Sequence, residues 1–281
     1  MPRHESFARR VLTLHIPVLL IVLFAVGPYV WSFITSISLP GQMMVRAGEA
    51  LRYFPENPTF SNYQRLFDRI QFFSNLTDSF VVATLAMLFG LCVSLTASFS
   101  FSRFRFWGRR YLMLQFLVIN MFPIVLLLIP LFVITSRLGI NDTHIALVLA
   151  YGTFTIPFST WMMTSFFNAI PKSLDEQAQI DGCNRFTAMV RIIIPIAMPG
   201  IAATGIYIFI TSWNEFVFAS VLTGRNVETI PLALQRMVGQ HRIAWELLTA
   251  GGVISAIPVV VLFFFIQKQL ISGMTAGAVK A

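Results

Sequence analysis

The chain has 281 residues, 56% of them hydrophobic and only 11% charged, with a mean hydropathy of +0.74. That balance excludes an ordinary soluble protein and points to a polytopic membrane protein. The net charge of +8 invites a nucleic-acid reading, but the basic residues are sparse and gather at the ends of apolar runs, where they act as topology signals, so no nucleic-acid partner is expected.

Residues 1–10 form a short arm carrying Arg3, Arg9 and Arg10. A first span follows over 11–38, free of charge and interrupted by His15, Pro17 and Pro28. It is too long for a cleavable signal and lacks a small-residue cleavage site, so it reads as a retained span. Residues 39–74 form a polar external loop, turn-rich over Asn57-Pro58-Thr59-Phe60-Ser61-Asn62-Tyr63. The core, 75–271, holds five further apolar runs, free of charge apart from Glu215: Ser79–Ser102, Tyr111–Ser136, Ile145–Ile170, Ile192 to about Val221, and Leu247–Gln267. Each reaches the roughly 20 residues needed to cross about 30 Å of hydrocarbon. Unbroken apolar runs without alternation are helices, because a lipid-exposed backbone must satisfy its own polar groups. The expectation is an all-α integral membrane protein with six transmembrane helices.

Orientation follows from the basic residues. With the N-terminus in the cytoplasm, that side holds Arg3, Arg9, Arg10, Arg103, Arg105, Arg109, Arg110, Lys172, Arg185, Arg191, Lys268 and Lys280, the majority of the 20 basic residues. The bias is clearest in the short loop 103–110 and places both termini and the loop around Gly182 inside.

No enzyme constellation is present in the sequence. None of the three lysines, Lys172, Lys268 and Lys280, follows a glycine, so no P-loop can cradle ATP phosphates and no cofactor is expected on this chain. The four histidines are scattered without metal spacing. Cys92 and Cys183 lie mid-span and in a polar loop, which argues against a disulfide. Polar residues inside spans are the next signal: Asn120, Tyr151, Trp161, Trp213 and Asn214 are candidates for a substrate path, against a reading as interhelical hydrogen bonds. Aromatic faces and neutral amides or hydroxyls suit sugars, and the absence of a basic cluster at mid-depth weighs against a phosphorylated substrate. A proton-coupled secondary transporter would need a buried mid-span carboxylate or histidine, which these runs lack.

The longest polar interruption of the second half is 173–195, SLDEQAQIDGCNRFTAMVRIIIP. Ser173 and Glu176 have capping-box spacing, so a short helix is expected from Leu174, with Leu174, Ala178 and the 181/182 pair on one face. Asp181-Gly182 signals a turn or a close backbone approach, and Pro195 the start or kink of the next helix.

The same stretch resembles the EAA loop of bacterial ABC-importer permeases. Glu176-Gln177-Ala178 is followed by three residues, Gly182, nine residues and Ile192-x-Ile194-Pro195, with Gln177 and Ile194 as mild departures. Trp213-Asn214-Glu215-Phe216 and the tail Gly273 to Lys280 resemble the carbohydrate-importer branch, of the maltose-importer type. Asp78-Ser79 stands where Asn-Ser is usual, and Ala281 where the tail ends in Gly.

The resemblance implies a type I importer permease fold in a bacterial inner membrane. It implies assembly with a second permease, two ATPase subunits that bind the ATP, and an external binding protein delivering a carbohydrate. Other small solutes such as glycerol phosphate stay open. Within 172–191 it assigns Glu176, Ala178, Asp181 and Gly182, with Pro195 beyond, to ATPase coupling. It assigns Gly273, Ala276, Gly277 and Lys280 of the 272–281 cytoplasmic tail to an ATPase interface, where the two glycines suggest an extended chain.

Overall fold

The computed structural model describes residues 11–43, 52–238 and 243–278, with the backbone alone at 11, 69–70 and 268–278. Apart from an isolated Val238–Ile243 bridge, its regular structure is helical. The helices are α1 (Ile16–Ser36), α2 (Ser61–Ile70), α3 (Phe72–Arg103), α4 (Arg109–Met121), α5 (Ile124–Arg137), α6 (His144–Ala169), α7 (Ser173–Ile180), α8 (Arg185–Ile196), α9 (Met198–Trp213), α10 (Val217–Leu222), α11 (Ile230–Arg236) and α12 (Trp245–Ala278).

By length and composition, Leu12–Ser36, α3, α6 and the first part of α12 can each cross a membrane unbroken. The other two expected spans are bent pairs: α4 and α5 meet at 100°, α8 and α9 at 83°. Hydropathy is blind to such bends; prolines mark both, Pro123 in the first and Pro195 and Pro199 around the second. The fifth run is interrupted again at Asn214–Phe216 before α10.

α3 starts seven residues before the expected Ser79. Its first turns hold Asn75, Thr77 and Asp78, which end an apolar run but not a helix. The expected 39–74 loop is correspondingly shorter and contains α2. At the other end, α12 runs through the 272–278 segment expected to be extended. Continuing an existing helix requires no new nucleus, and two glycines at about 1 kcal/mol each do not interrupt it here. Lys280 lies outside the described residues.

The chain divides into two compact units. One comprises the residues up to Phe72 with Leu234–Ile257. There Asn62, fully buried on α2, donates from Nδ2 to the carbonyls of Ser36 (2.9 Å) and Ser38 (2.7 Å), which pins α2 to the end of α1. Ser36 Oγ lies 2.7 Å from the Tyr63 hydroxyl.

The second unit, Phe73–Ala233 with the chain from Pro258, carries two apolar clusters that α3 and α6 both enter. Val82 and Ala86 meet Leu147, Ala150 and Tyr151 together with Phe218 and Leu222. Farther along both helices, Phe99 meets Met163, Phe167 and Ile170 with Met189 and Ile193 of α8. α3 and α6 therefore run parallel. Small residues permit close crossings: a Cβ on Gly200 of α9 would lie 2.5 Å from the Phe166 ring of α6.

Candidate functional site

The expected connector helix is present as α7, but its start differs from the capping-box prediction. Lys172 occupies the cap position in a helical conformation, the helix begins at Ser173, and no side chain caps it. The Lys172 carbonyl instead accepts from the N–H groups of Asp175 (3.0 Å) and Glu176 (3.1 Å), so Glu176 is released from capping and is exposed. The C-terminal end is a Schellman closure: Cys183 N–H donates to Ala178 O (2.9 Å) and Gly182 N–H to Gln179 O (3.1 Å). Gly182 has φ +88°, a left-handed conformation that other residues rarely adopt. A Cβ there would meet nothing within 4 Å, so within this chain the glycine serves the turn and not a close approach. Asn184 then caps α8, its Oδ1 accepting from Thr187 N–H at 2.8 Å.

The inner face of α7 packs on the unit through Ala178, 2% exposed, and Leu174, which joins the second cluster. Ala178 thus supports the connector and does not face outward. The outward surface holds Glu176, Gln177, Asp181 and Gly182, with Ile180 84% exposed and Phe186 67% exposed. These two apolar side chains escaped the sequence reading; their signal is an apolar residue on either side of a polar turn. Pro195 is also exposed but sits in α8 at the bend.

Arg103 anchors the connector. It is the last residue of α3, and its guanidinium donates to the carbonyls of Phe167 (3.0 Å) and Ile170 (3.2 Å) at the end of α6. Its Nε lies 2.6 Å from Asp175 Oδ2 of α7, a contact between side chains only 7% and 11% exposed. Burial pushes the Asp175 carboxyl above its ordinary range, and the adjacent guanidinium pulls the other way. Arg185 stacks over the Phe104 ring, 4.8 Å to its centroid, joining the start of α8 to the chain just after α3. Together Arg103, Lys172, Asp175, Glu176, Gln179 and Arg185 line a cleft of about 260 Å³.

The substrate-path candidates separate by burial. Tyr151 is fully buried in the first cluster, and Trp213, 4% exposed, stacks on Phe209 at 5.6 Å and 16°. Both are packing residues of this chain and line no open surface of it. Asn120, Trp161 and Asn214 are exposed. The amides of Asn120 and Asn214 each donate to a carbonyl one turn back, at 2.9 and 2.8 Å, leaving their oxygens free to accept. Glu215, beside Asn214, caps α10 through its carboxylate, which accepts from Phe218 N–H (2.9 Å) and Ala219 N–H (3.2 Å).

A second polar assembly holds the 223–230 segment. The Asp142 carboxylate accepts from four successive backbone N–H groups, Gly224 (2.8 Å), Arg225 (2.9 Å), Asn226 (3.0 Å) and Val227 (3.2 Å). Burial alone would raise this carboxyl; the four N–H groups outweigh it and hold the pKa at about 2. Asp78 accepts from Glu228 N–H at 3.1 Å and lies 2.8 Å from His144 Nε2, while Ser79 Oγ accepts from Ile230 N–H at 2.7 Å. Asp78, which departs from the usual Asn, thus has a defined role. Among the described residues no group of three or more His, Cys, Asp or Glu side chains could hold a metal.

Comparison with known proteins agrees with this geometry. Residues 86–276 match the family described as the binding-protein-dependent transport system inner membrane component. The trehalose/maltose transport system permease protein MalG of Thermococcus litoralis is 32% identical over 280 residues, covering 98% of this chain and 99% of its own. The sulfoquinovosyl glycerol transport system permease protein SmoH of Agrobacterium fabrum is 32% identical over 254 residues, covering 90% and 88%. A crystal structure of a bacterial ABC transporter involved in the import of alginate superposes with a TM-score of 0.75 at 23% identity, covering 94% of this chain and 98% of that one.

Proposed function

The chain belongs to the binding-protein-dependent transport system inner membrane component family, and from that premise we propose that it is the permease subunit of an ATP-driven carbohydrate importer. It spans the bacterial inner membrane with both termini in the cytoplasm and works with a second permease, two ATPase subunits and an external binding protein. The observation that carries this reading is the connector: α7 shows Ile180, Glu176 and, across the turn, Phe186 to a partner, while Asp175 ties it to Arg103.

A push on α7 then reaches two spans at once. Arg103 ends α3 and grips the last carbonyls of α6, so movement of the connector carries both helix ends as one body. Asn120, Trp161 and Asn214 offer amide oxygens and an indole to a passing sugar, with Tyr151 and Trp213 as the buried scaffold behind them. A carbohydrate cargo is supported by the substrates named for the relatives. As far as Ala278 the tail enters as a helix and not as an extended strand, and Gly273, Ala276, Gly277 and Lys280 are assigned as its contacts to the ATPases.

Two measurements test the proposal. In a background lacking Cys92 and Cys183, single cysteines at 109 and 226 are treated with an impermeant thiol reagent in intact cells; labelling at 226 and protection at 109 is expected, and the reverse overturns the orientation. In reconstituted vesicles, Ile180→Ala with Phe186→Ala lowers sugar uptake and ATPase recovery together. Unchanged ATPase recovery removes α7 as the coupling surface.

A further inference from the structure

The unit built from the residues up to Phe72 and Leu234–Ile257 contains a pocket of about 340 Å³, remote in sequence from the connector. It is lined by Trp31, Ser32, Thr35 and Ser38 at the end of α1, and by Trp245, Glu246 and Thr249 at the start of α12, with Gly41 and Met43. Trp31 stands five residues from the end of α1, about 7.5 Å at the helical rise, which puts the pocket at the depth where indoles collect in a bilayer.

The lining is biased toward accepting hydrogen bonds. Ser32 Oγ donates to Pro28 O (2.9 Å), Ser38 Oγ to Thr35 O (2.7 Å) and Thr249 Oγ1 to Trp245 O (2.7 Å). Those hydroxyl protons are spent on the backbone, which leaves lone pairs for a ligand. Thr35, 6% exposed, has an Oγ1 shut from solvent with no partner among the described residues. Glu246 is 5% exposed, and among the described residues no Lys, Arg or His pairs with it. Burial makes a carboxylate favour a cationic partner, and indole faces attract cations.

We propose that this pocket binds a primary ammonium group, presented either by the headgroup of an ethanolamine phospholipid or by a free small amine. Glu246 supplies the counter-charge, the hydroxyl lone pairs take the ammonium protons, and Trp31 and Trp245 wall the site. Ile21 and Phe24, 67% and 87% exposed on the same face of α1 as Trp31 and Thr35, offer an acyl chain a surface leading to the pocket. The inference rests on the chain spanning a membrane and not on what it transports.

The test uses the intact transporter complex in detergent, with bound lipid read by native mass spectrometry after exposure to equimolar phosphatidylethanolamine, phosphatidylcholine and phosphatidylglycerol. Preferential retention of phosphatidylethanolamine is expected, reduced about tenfold by Glu246→Gln, as loss of one charged hydrogen-bonded contact predicts. Trp245→Phe, which keeps the packing, is expected to weaken retention less. A parallel arm offers free ethanolamine: its capture with no headgroup preference assigns the site to a soluble amine, and competition with the lipid assigns it to the headgroup. Equal retention of the three lipids with no ethanolamine capture, retention indifferent to both variants, or capture of an oligosaccharide instead overturns the proposal.

Discussion

The two ends of α3 are held by opposite strategies. Near its start, Asn75, Asp78 and Ser79 join Asp142 in fixing the 223–230 segment, almost entirely through hydrogen bonds to backbone groups. About 37 Å along the helix from Asp78, its last residue, Arg103, holds the connector through one buried ion pair and the end of α6 through two carbonyls. Backbone-directed bonds clamp a loop wherever its side chains point. A side-chain ion pair fixes only one face of a helix and leaves the other for a partner. The first end is therefore a fastening and the second a joint.

The strongest way to break this contrast is Arg103→Ala. It strands the Asp175 charge and two helix-terminal carbonyls together, and a cost of about 3–5 kcal/mol is expected, read as a fall in thermal stability of the purified protein. Adding Asp175→Asn recovers part of the loss, since the uncompensated charge goes with it. A small effect of Arg103→Ala alone makes the joint a surface contact.

At the other end, Asp142→Ala leaves four N–H groups without their acceptor, and the partly exposed position places the cost at about 1–3 kcal/mol. Because Asp142 is depressed from 3.8 to about 2, its contribution is present above pH 3.8 and is lost as the pH falls toward 2. Hydrogen exchange at amides 224–227 is expected to accelerate over that window in the native protein, and to be fast and pH-flat, after correction for intrinsic rates, in the variant.

Gly182 sharpens the comparison. Gly182→Ala forces a side chain into φ +88° at about 1–2 kcal/mol, whereas Gly182→Asn, which tolerates that conformation, is expected to be nearly neutral for folding. If Gly182→Asn still abolishes ATPase recovery, the open space beside the glycine is occupied by the partner. The smallest effect belongs to Glu176→Ala. With no cap to lose, its stability change stays within about 0.5 kcal/mol, and any larger loss appears only in assembly with the ATPase.

Much of this architecture is legible in the sequence because lipid imposes a simple rule. Long charge-free runs had to be helices, and α3, α6 and α12 fall where those runs lie. The connector was legible from its polar string and its Gly182. What escaped involves residues that meet only in space. Arg103 reads as a topology charge and Asp175 as a first-turn acid, and 72 positions separate them. Asn75 and Asp78 ended the apolar run, yet the helix continues because distant backbone atoms satisfy them. Tyr151 and Trp213 carry polar atoms at span depth, but the neighbours that bury them cannot be counted from a single strand of text.

The bend between α4 and α5 has a consequence for the life of the chain before assembly. Phe122 and Pro123, at the turn, are both exposed, as is most of the surface of the two helices around them. Irregular backbone at membrane depth is tolerated only against protein or a water-filled cavity. A newly inserted copy with no companion therefore presents a solvation defect to the acyl chains, and the bilayer itself penalises the solitary subunit. The same bend therefore gives a second permease a surface to cover, and until one docks the elbow stays in contact with lipid.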